Sequence, residues 1–337
     1  MADKIKFIMN GCGGIANAWL NVFNQQKEDV ELVAVCDPIP SAFNKLKVYG
    51  YQDVPKYNDL TLAFADGVEA DAVLVLTPPQ YHPRYMREAI YNDCHVMTEK
   101  SFLCDMNDWR LMTEEVIPYA KDNDLVCVVN QQYRWMDRIK DIRTALDAGK
   151  IGQIGHVISQ FVQNRYHFNG WWRSEHQDLS QLNWFIHHYD TMRYILNRNP
   201  VEVRAKLFRV PWSKIFGESS IYLNATFQDG IEWEYSASQE GVGAYEDSGQ
   251  TTFTIYGSKG AIRNTKENPP ELWLEKGNPH KPEVSYLSEL RPEDKISTDS
   301  SNADAPGEGP KYPPGWDVTM KHFVTAVRSG NKTPHPT

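Results

Sequence analysis

The chain has 337 residues, of which 41% are hydrophobic and 23% are charged, and its formal net charge is −9. This composition is ordinary for a globular protein of two domains, which builds a core without disulfides or metals. So negative a chain is a poor candidate for binding nucleic acid or an anionic membrane, because either would need a basic face.

Targeting and membrane segments are not expected. No stretch approaches the roughly 20 apolar residues of a membrane span, and the first residues, MADKIKFIMN, lack the apolar core and cleavage site of a signal peptide. None of the five cysteines forms a CxxC pair, and four lie in or beside apolar runs, which predicts buried free thiols: Cys12, Cys36, Cys94 and Cys127. We therefore expect a cytoplasmic protein.

The first 130 residues alternate apolar runs with stretches of helical spacing. The runs are nearly continuous in hydrophobicity, as in parallel strands covered on both faces: KIKFIMNG, VELVAVCDP, DAVLVLTPP, CHVMTEK and LVCVVNQ. The stretches between them predict helices, the last of which Pro118 should kink or interrupt: GIANAWLNVFNQQ, SAFNKLKVYG, PRYMREAIYND and DMNDWRLMTEEVIPYAKDND. This alternation predicts a Rossmann-type, doubly wound parallel sheet over residues 1–129.

Residues 130–337 follow a different pattern. DRIKDIRTALDAGK predicts a helix closed by Gly149, and QLNWFIHHYDTMRYIL predicts a second helix. The strand candidates are IGHVISQFVQN, VRAKLFRV, SIYLNATF, IEWEYSAS, TTFTIYG and ELWLEKG. Strands in succession with few helices predict an α+β domain with an open, largely antiparallel sheet, faced by the helix at 180–197. The polar, Pro/Gly-rich residues 289–315 predict a surface loop.

The sequence GCGGIA at 11–16 lies between the first strand and the next helix and fits the pattern G-x-G-x-x-G/A. Gly11 permits a tight turn, Gly13 allows the backbone to approach a pyrophosphate, and Ala16 allows close packing of the helix on the strand. Gly14 and Ile15 belong to the same loop. In this βαβ context the motif predicts a dinucleotide site.

Asp37 ends the second strand, where a carboxylate binds the 2′-hydroxyl of the adenosine ribose. A carboxylate there would repel a 2′-phosphate, so NAD is favoured over NADP. The alternative, an ordinary turn residue before Pro38, is less favoured because the two signals occur together.

Later strand ends add further candidates, since ligands of such sheets lie beyond the carboxyl ends of the strands. Thr77 and Pro78 are placed to line the nicotinamide side of the cofactor. Lys100 points into the same crevice and Glu99 can hold the loop. His82 is better explained as a helix-start residue bound to local backbone.

Taken together, these stretches resemble the Gfo/Idh/MocA family, the glucose–fructose oxidoreductases and inositol dehydrogenases. The resemblance covers nearly the whole chain, and the order and spacing of its parts make it specific: the Gly-rich turn, Asp37, TPPQYH, EKS, QQYR at 131–134, GKIGQIG at 149–155, IHHYD and YPPGW at 312–316. It implies a nucleotide-binding domain and an α/β domain whose open sheet mediates a homodimer or homotetramer. The activity it implies is NAD(P)-dependent oxidation or reduction of sugars, cyclitols or their derivatives.

The resemblance also implies roles for single residues. Lys100 matches the lysine of an E-K-P motif that contacts the reacting hydroxyl, and Gln131 falls among the cofactor contacts. His187 matches the histidine of a D-x-x-x-H-x-x-D stretch that is the usual proton acceptor, and Asp190 would orient it.

Two residues depart from the family pattern. Ser101 replaces the usual proline, and because a non-proline cis peptide costs about 2.5–4 kcal/mol, a trans bond is expected before it. Asn183 stands where many members carry an aspartate. An amide can orient a hydroxyl but cannot take its proton, which narrows the base to His187.

The predicted helix separates its two histidines. Asn183, His187, Asp190 and Tyr194 share one face, while His188 points about 100° away. The adjacent histidines are therefore poorly placed to hold one ion, and no metal is expected. For His188, a structural role and a substrate contact are equally favoured.

Further substrate contacts are predicted in and before the aromatic loop NRYHFNGWWRSEHQ. Trp172 and Arg173 are favoured because aromatic faces pack on sugar rings and arginines bind hydroxyls or carboxylates. The alternative is a buried aromatic cluster. Arg134 resembles a family position near the substrate, but it equally suits a pair with a carboxylate between domains.

The sequence therefore predicts hydride transfer between a secondary alcohol carbon and the nicotinamide, with Lys100 polarising the oxygen and His187 as general acid or base. One alternative is a redox-assisted glycoside-cleaving enzyme, in which NAD oxidises and re-reduces the sugar. Another is a non-catalytic NAD-binding sugar sensor. Asn183 favours the sensor slightly, whereas the presence of both Lys100 and His187 opposes it.

Overall fold

The structure, a computed structural model, describes residues 3–164, 184–213, 217–242, 251–265, 268–275, 281–290 and 315–330. The chain divides into two compact units. The first comprises Met1–Gln132 together with Asp299–Thr337, and the second comprises Tyr133–Thr298. The sequence prediction placed the domain boundary between residues 129 and 130 and assigned the whole of 130–337 to the second domain. In this division, 130–132 and 299–337 belong to the first unit.

The first unit is built, within the described residues, on a parallel sheet of six strands in the order β3-β2-β1-β4-β5-β6. The strands are β1 (Ile5–Asn10), β2 (Val30–Cys36), β3 (Lys56–Tyr57), β4 (Ala72–Val75), β5 (His95–Glu99) and β6 (Cys127–Asn130). The five predicted strands are confirmed. The sequence missed β3, whose two residues are too few to give a hydrophobic pattern.

The helices of the first unit follow the predicted alternation. They are α1 (Ala16–Gln25), α2 (Leu60–Ala65), α3 (His82–Tyr91), α4 (Met106–Arg110), α5 (Ile117–Asp122) and, after the second unit, α8 (Trp316–Ser329). A 3₁₀ helix, Pro40–Lys47, replaces the predicted α-helix after β2. Pro118 lies in the first turn of α5, directly after the π-helical residues Leu111–Val116, so the regular helix is interrupted as predicted.

Apolar side chains cover both faces of this sheet, as its continuous apolar strands require. Phe7 of β1 packs against Phe23 of α1 and Phe323 of α8, with ring centroids 5.5 and 5.6 Å apart. The next residue, Ile8, belongs to a separate core with Met86 of α3. Burial of Phe323 against β1 explains why α8 lies in the first unit, since burying a large apolar side chain contributes about 1.5–3 kcal/mol.

The second unit carries a mixed sheet of eight strands among the described residues, in the order β14-β13-β12-β11-β7-β10-β9-β8. The strands are β7 (Ile154–Val162), β8 (Pro200–Phe208), β9 (Ser220–Phe227), β10 (Glu232–Ser238), β11 (Thr252–Gly257), β12 (Gly260–Asn264), β13 (Glu271–Leu274) and β14 (Glu283–Tyr286). Only β7 and β10 pair in parallel, so the prediction of a largely antiparallel sheet is confirmed. The predicted surface loop at 289–315 falls almost entirely outside the described residues.

Helices α6 (Asp137–Asp147) and α7 (Ile186–Leu196) cover one face of this sheet. Their apolar side chains form one core with the inward residues of the strands. Gly149 lies just beyond the C-cap of α6, Ala148, and its φ of +66° suits glycine. Each helix in the described ranges is too short or too polar to cross a membrane.

All five cysteines are free, including the four for which this was predicted. Cys12, Cys36 and Cys94 are buried as predicted, whereas Cys127, also predicted to be buried, is half-buried like Cys104. Burial raises the pKa of Cys12 to about 11 and that of the other apolar-run thiols to about 12. Thiols of this kind are poor nucleophiles.

Candidate functional site

The Gly-rich turn between β1 and α1 has a closed side and an open side. Gly11 adopts a φ of +106°, and a Cβ there would lie 2.7 Å from the backbone carbon of Leu76, so only glycine fits. A Cβ on Gly13 or Gly14 would meet no atom within 4 Å. Ala16 is fully buried at the start of α1. The turn therefore has the close packing and the open approach that its sequence predicts.

Two charged side chains hold this turn. The carboxylate of Asp37 accepts the backbone N–H of Cys12 at 2.7 Å and that of Ile39 at 2.8 Å. The ammonium of Lys45 donates to the carbonyl oxygen of Gly13. Sequence reasoning missed Lys45, because a lysine in an amphipathic stretch carries no signal that distinguishes it from a solvated surface charge. Ile15, the remaining predicted residue of the turn, is half-buried just before α1.

Several buried polar atoms have no hydrogen-bond partner among the residues that the structure describes. Six of them belong to the carboxyl ends of β1, β4, β5 and β6 or to the loops that follow: Asn10 Nδ2, Thr77 Oγ1, Gln80 Oε1, Ser101 Oγ, Gln131 Oε1 and Gln132 Oε1. An unsatisfied buried polar group costs about 1–3 kcal/mol, which a bound ligand with hydroxyl, phosphate and amide groups would offset. The predicted contacts Thr77 and Gln131 are in this set, and Pro78 is half-buried beside Thr77.

Glu99 is a junction within the first unit. Its Oε1 atom accepts hydrogen bonds from the indoles of Trp19 and Trp316 and from the amide of Asn130, each at 2.9 Å. Glu99 thus joins α1, β6 and α8 to the end of β5. This agrees with the predicted role of holding the loop. Lys100, the next residue, is half-buried.

The peptide bond between Lys100 and Ser101 is cis, so the expectation of a trans bond is wrong. Ser101 is buried, and its carbonyl oxygen lies 2.8 Å from Nδ1 of His82. Tertiary packing around this loop therefore outweighs the local preference for trans. The other ring nitrogen of His82 lies 2.7 Å from the carbonyl oxygen of Thr77, in keeping with its predicted contact to local backbone. Burial lowers the pKa of His82 to about 4, so its neutral ring donates to one of the two carbonyls.

In the second unit, His187 lies on α7 with 3% of its surface exposed. Its ring stacks on that of Tyr133, with centroids 4.1 Å apart and planes only 8° from parallel. The centroid of the Trp184 ring lies 6.4 Å from that of the same imidazole, with the two planes 62° apart. These aromatic neighbours fix the plane of the ring.

Asp190, one turn further along α7, is bound by Arg134. The guanidinium donates from Nε at 2.8 Å and from Nη2 at 2.5 Å, and it lies 5.4 Å from the centre of the Tyr194 ring. Burial acts to lower the pKa of Arg134, but the hydrogen bond and charge of Asp190 outweigh it and raise that pKa. Asp190 and Tyr194, two members of the predicted face, therefore both contact Arg134.

This ion pair bears on two expectations. Arg134 pairs with Asp190, a carboxylate of its own unit. Asp190 directs both oxygens to Arg134, so the carboxylate expected to orient His187 is engaged elsewhere. Removing one partner of a buried ion pair costs about 3–5 kcal/mol, because the other charge stays buried. The sequence did not show this pairing, since 56 residues separate the two.

His188 faces a different part of the core. Its Nδ1 atom lies 2.5 Å from the hydroxyl oxygen of Tyr235, and the rings of Phe161 and Phe185 pack around it. Burial raises the pKa of Tyr235 well above its ordinary value, so this hydroxyl stays protonated. Of the two roles considered for His188, the contacts support the structural one. The described residues hold no group of three side chains suited to a metal ion.

Three predicted substrate contacts, Trp172, Arg173 and Asn183, lie outside the described residues. The described part of the second unit adds a polar group that the sequence did not indicate. Gln163, Ser219 and Gln239 are at most 3% exposed, and each has a side-chain atom without a hydrogen-bond partner in the described ranges. They come together because the parallel strands β7 and β10 end at the same edge.

Comparison with known proteins covers both units. The model of the GFO/IDH/MocA oxidoreductase family, NAD-binding Rossmann fold, matches residues 5–131. The model of the GFO/IDH/MocA C-terminal domain matches residues 139–263.

Individual relatives are distant. The chain is 26% identical over 267 residues to D-apiose dehydrogenase of Rhizobium rhizogenes. The matched region covers 77% of this chain and 73% of that protein. It is 25% identical over 213 residues to 1,5-anhydro-D-fructose reductase of Ensifer adhaerens, or 60% of each, and so spans less than two thirds of the reductase's length. A solved oxidoreductase of Agrobacterium radiobacter, in complex with NAD+, L-tartaric acid and magnesium, matches with a TM-score of 0.76 and 23% identity. That match covers 98% of this chain and 90% of the other, and it shows a common fold.

Proposed function

Because the chain belongs to the GFO/IDH/MocA oxidoreductase family and its first unit is an NAD-binding Rossmann domain, we propose that it is an NAD-dependent sugar or cyclitol dehydrogenase. The reaction would move a hydride between a secondary alcohol carbon and the nicotinamide. The observation that carries the proposal is the carboxyl edge of the first sheet. There an open Gly-rich turn, unsatisfied polar atoms and Lys100 occur together.

The residues of the first unit suit the cofactor chemically. Bound NAD would supply the hydride acceptor. The turn at 11–16 would hold the pyrophosphate, and Asp37 the adenosine ribose, which favours NAD over NADP. Thr77, Pro78 and Gln131 would contact the nicotinamide half, where Thr77 and Gln131 have unsatisfied oxygen atoms.

Lys100 is the proposed electrostatic catalyst. Its ammonium would stabilise the negative charge that develops on the substrate oxygen. Glu99 and the three donors bound to it would fix the backbone immediately before Lys100. This support matters because a misplacement of about 1 Å can cost about a hundredfold in rate.

His187 is the proposed general acid or base. An imidazole exchanges a proton readily near neutral pH. The stacked ring of Tyr133 supports the role because it limits rotation of the imidazole.

The proposed substrate is rich in hydroxyl groups. Gln163, Ser219 and Gln239 offer donors and acceptors at one edge of the second sheet, and a polyol would satisfy several of them. Both relatives compared above are named for a carbohydrate substrate, D-apiose in one and 1,5-anhydro-D-fructose in the other. Trp172, Arg173 and Asn183 remain predicted contacts of the same substrate.

The test is a panel of sugars, cyclitols and sugar acids, each offered to the full-length protein with NAD+ or NADP+ and followed by nicotinamide absorbance. We expect reduction of the cofactor that depends on one class of substrate and is faster with NAD+. Release of an aglycone without net reduction would instead indicate the glycoside-cleaving alternative. Binding of NADH and sugar without turnover of any kind would indicate the sensor and contradict the dehydrogenase.

We further propose that copies of the chain associate through the open face of the second sheet. By strand register this face carries five exposed apolar side chains: Ile158, Tyr222, Tyr256, Val284 and Tyr286. Apolar groups exposed together on one sheet face favour association. Sedimentation should show a dimer or tetramer, and a Tyr222→Lys/Tyr256→Lys variant should sediment as a smaller species. A native protein that is monomeric at micromolar concentration would contradict this.

A cytoplasmic location is proposed on a separate ground. The five free thiols suit a reducing compartment.

A further inference from the structure

Opposite charges act on the Gly-rich turn from one side. Asp37 binds the N–H of Cys12, and Lys45 binds the carbonyl oxygen of Gly13, the next residue. The carboxylate lies near enough for its charge to act on the ammonium. Both come from the segment that follows β2, where the ribose of a dinucleotide would lie.

The positive charge of Lys45 is only partly balanced by the groups around it. Burial lowers the pKa of its ammonium, while the negative charge of Asp37 acts in the opposite direction. The hydrogen-bond partner of the ammonium is a neutral carbonyl oxygen. A phosphate oxygen would be a stronger acceptor, because its negative charge adds a Coulombic attraction to the ammonium that a neutral carbonyl oxygen lacks.

We propose that Lys45 is a cofactor-specificity residue that opposes Asp37. Asp37 repels the 2′-phosphate of NADP, whereas Lys45 attracts it, so the preference for NAD is set by the balance of the two charges. The native site would then discriminate against NADP less strongly than Asp37 alone would make it. This rests on the proposed function to the extent that a dinucleotide must bind at the Gly-rich turn.

The test measures the Kd of NADH and of NADPH for the full-length protein by nicotinamide fluorescence. The variants are Asp37→Asn, Lys45→Met and the double substitution. Asparagine keeps one of the two side-chain oxygens that accept backbone N–H groups of the turn. Lys47→Met is the matched control, since Lys47 lies in the same 3₁₀ helix and is exposed. A melting temperature for each variant shows that it is folded.

We expect Asp37→Asn to tighten NADPH binding roughly ten- to a hundredfold, the range of one hydrogen bond to a charged group. The double variant should lose most of this gain, Lys45→Met alone should raise the preference for NADH, and Lys47→Met should change neither Kd. Lys45→Arg in the Asp37→Asn background should keep the gain. A role limited to holding the turn would instead weaken NADH and NADPH equally.

Two failures can be told apart. If NADH binds the native protein but the double variant binds NADPH as tightly as Asp37→Asn does, the role of Lys45 is refuted while the proposed function stands. If the native protein binds neither nucleotide, the proposed function fails and the role of Lys45 fails with it.

Discussion

Replacing Lys100 with methionine is expected to lower kcat by roughly 10²–10³-fold, the usual effect of removing one electrostatic contact to a developing oxyanion. Methionine has a similar length and no charge, so the packing of the half-buried side chain is largely kept. The Kd of NADH should change by less than about twofold, because the lost contact acts on the transition state. Steady-state kinetics on the substrate found in the panel, with NADH titration, measure both.

Lys47→Met serves as the control for loss of a positive charge, since Lys47 is exposed on the first unit. Its kcat should equal that of the native protein. Full activity in Lys100→Met would show that the resemblance to the E-K-P motif does not carry the catalytic role to this chain.

Replacing His187 with alanine is expected to lower kcat by roughly 10²–10⁴-fold, the range for loss of a general acid or base. The substitution leaves a space the size of an imidazole against the ring of Tyr133, which packs 4.1 Å from His187. Added imidazole should therefore restore part of the activity in a concentration-dependent manner. Such rescue distinguishes loss of proton transfer from a general loss of structure.

His156→Gln is the matched control, since this histidine lies in β7 with 39% of its side chain exposed. It should leave kcat unchanged and show no response to imidazole. Undiminished turnover by His187→Ala would rule out His187 as the general acid or base.

The fold was predictable because its signals are local and repeated. Continuous apolar strands, helical spacing and a Gly-rich turn each act within about twenty residues, and together they indicate a doubly wound sheet. Apart from the 14-residue helix α8, which was not predicted either, the elements that escaped are short. The two residues of β3, and the strands β12 and β14 with five and four residues, take their structure from pairing with a neighbour rather than from a pattern of their own.

The site was predictable only where a motif specifies it. Gly11 and Gly13 could be placed from spacing, but the partner of Arg134 could not. Its choice of Asp190 depends on how a 3₁₀ turn packs against α7. Likewise Lys45 and Gly13 are 32 residues apart, and their contact exists only in the folded unit. The bond before Ser101 was expected to be trans because only the local energy of the peptide bond was considered. The tertiary packing around it is not visible in the sequence.

The hydrogen bonds of Glu99 also bear on the order in which the protein is completed during synthesis. Trp19 is made 80 residues before Glu99 and Asn130 31 residues after it, but Trp316 follows it by 217 residues. At about 5–20 residues per second, the ribosome delivers that last donor roughly ten to forty seconds after Glu99. Until then the nascent first unit holds a carboxylate whose burial is incomplete. The first unit is therefore completed only by α8, a helix that is synthesised after the whole of the second unit.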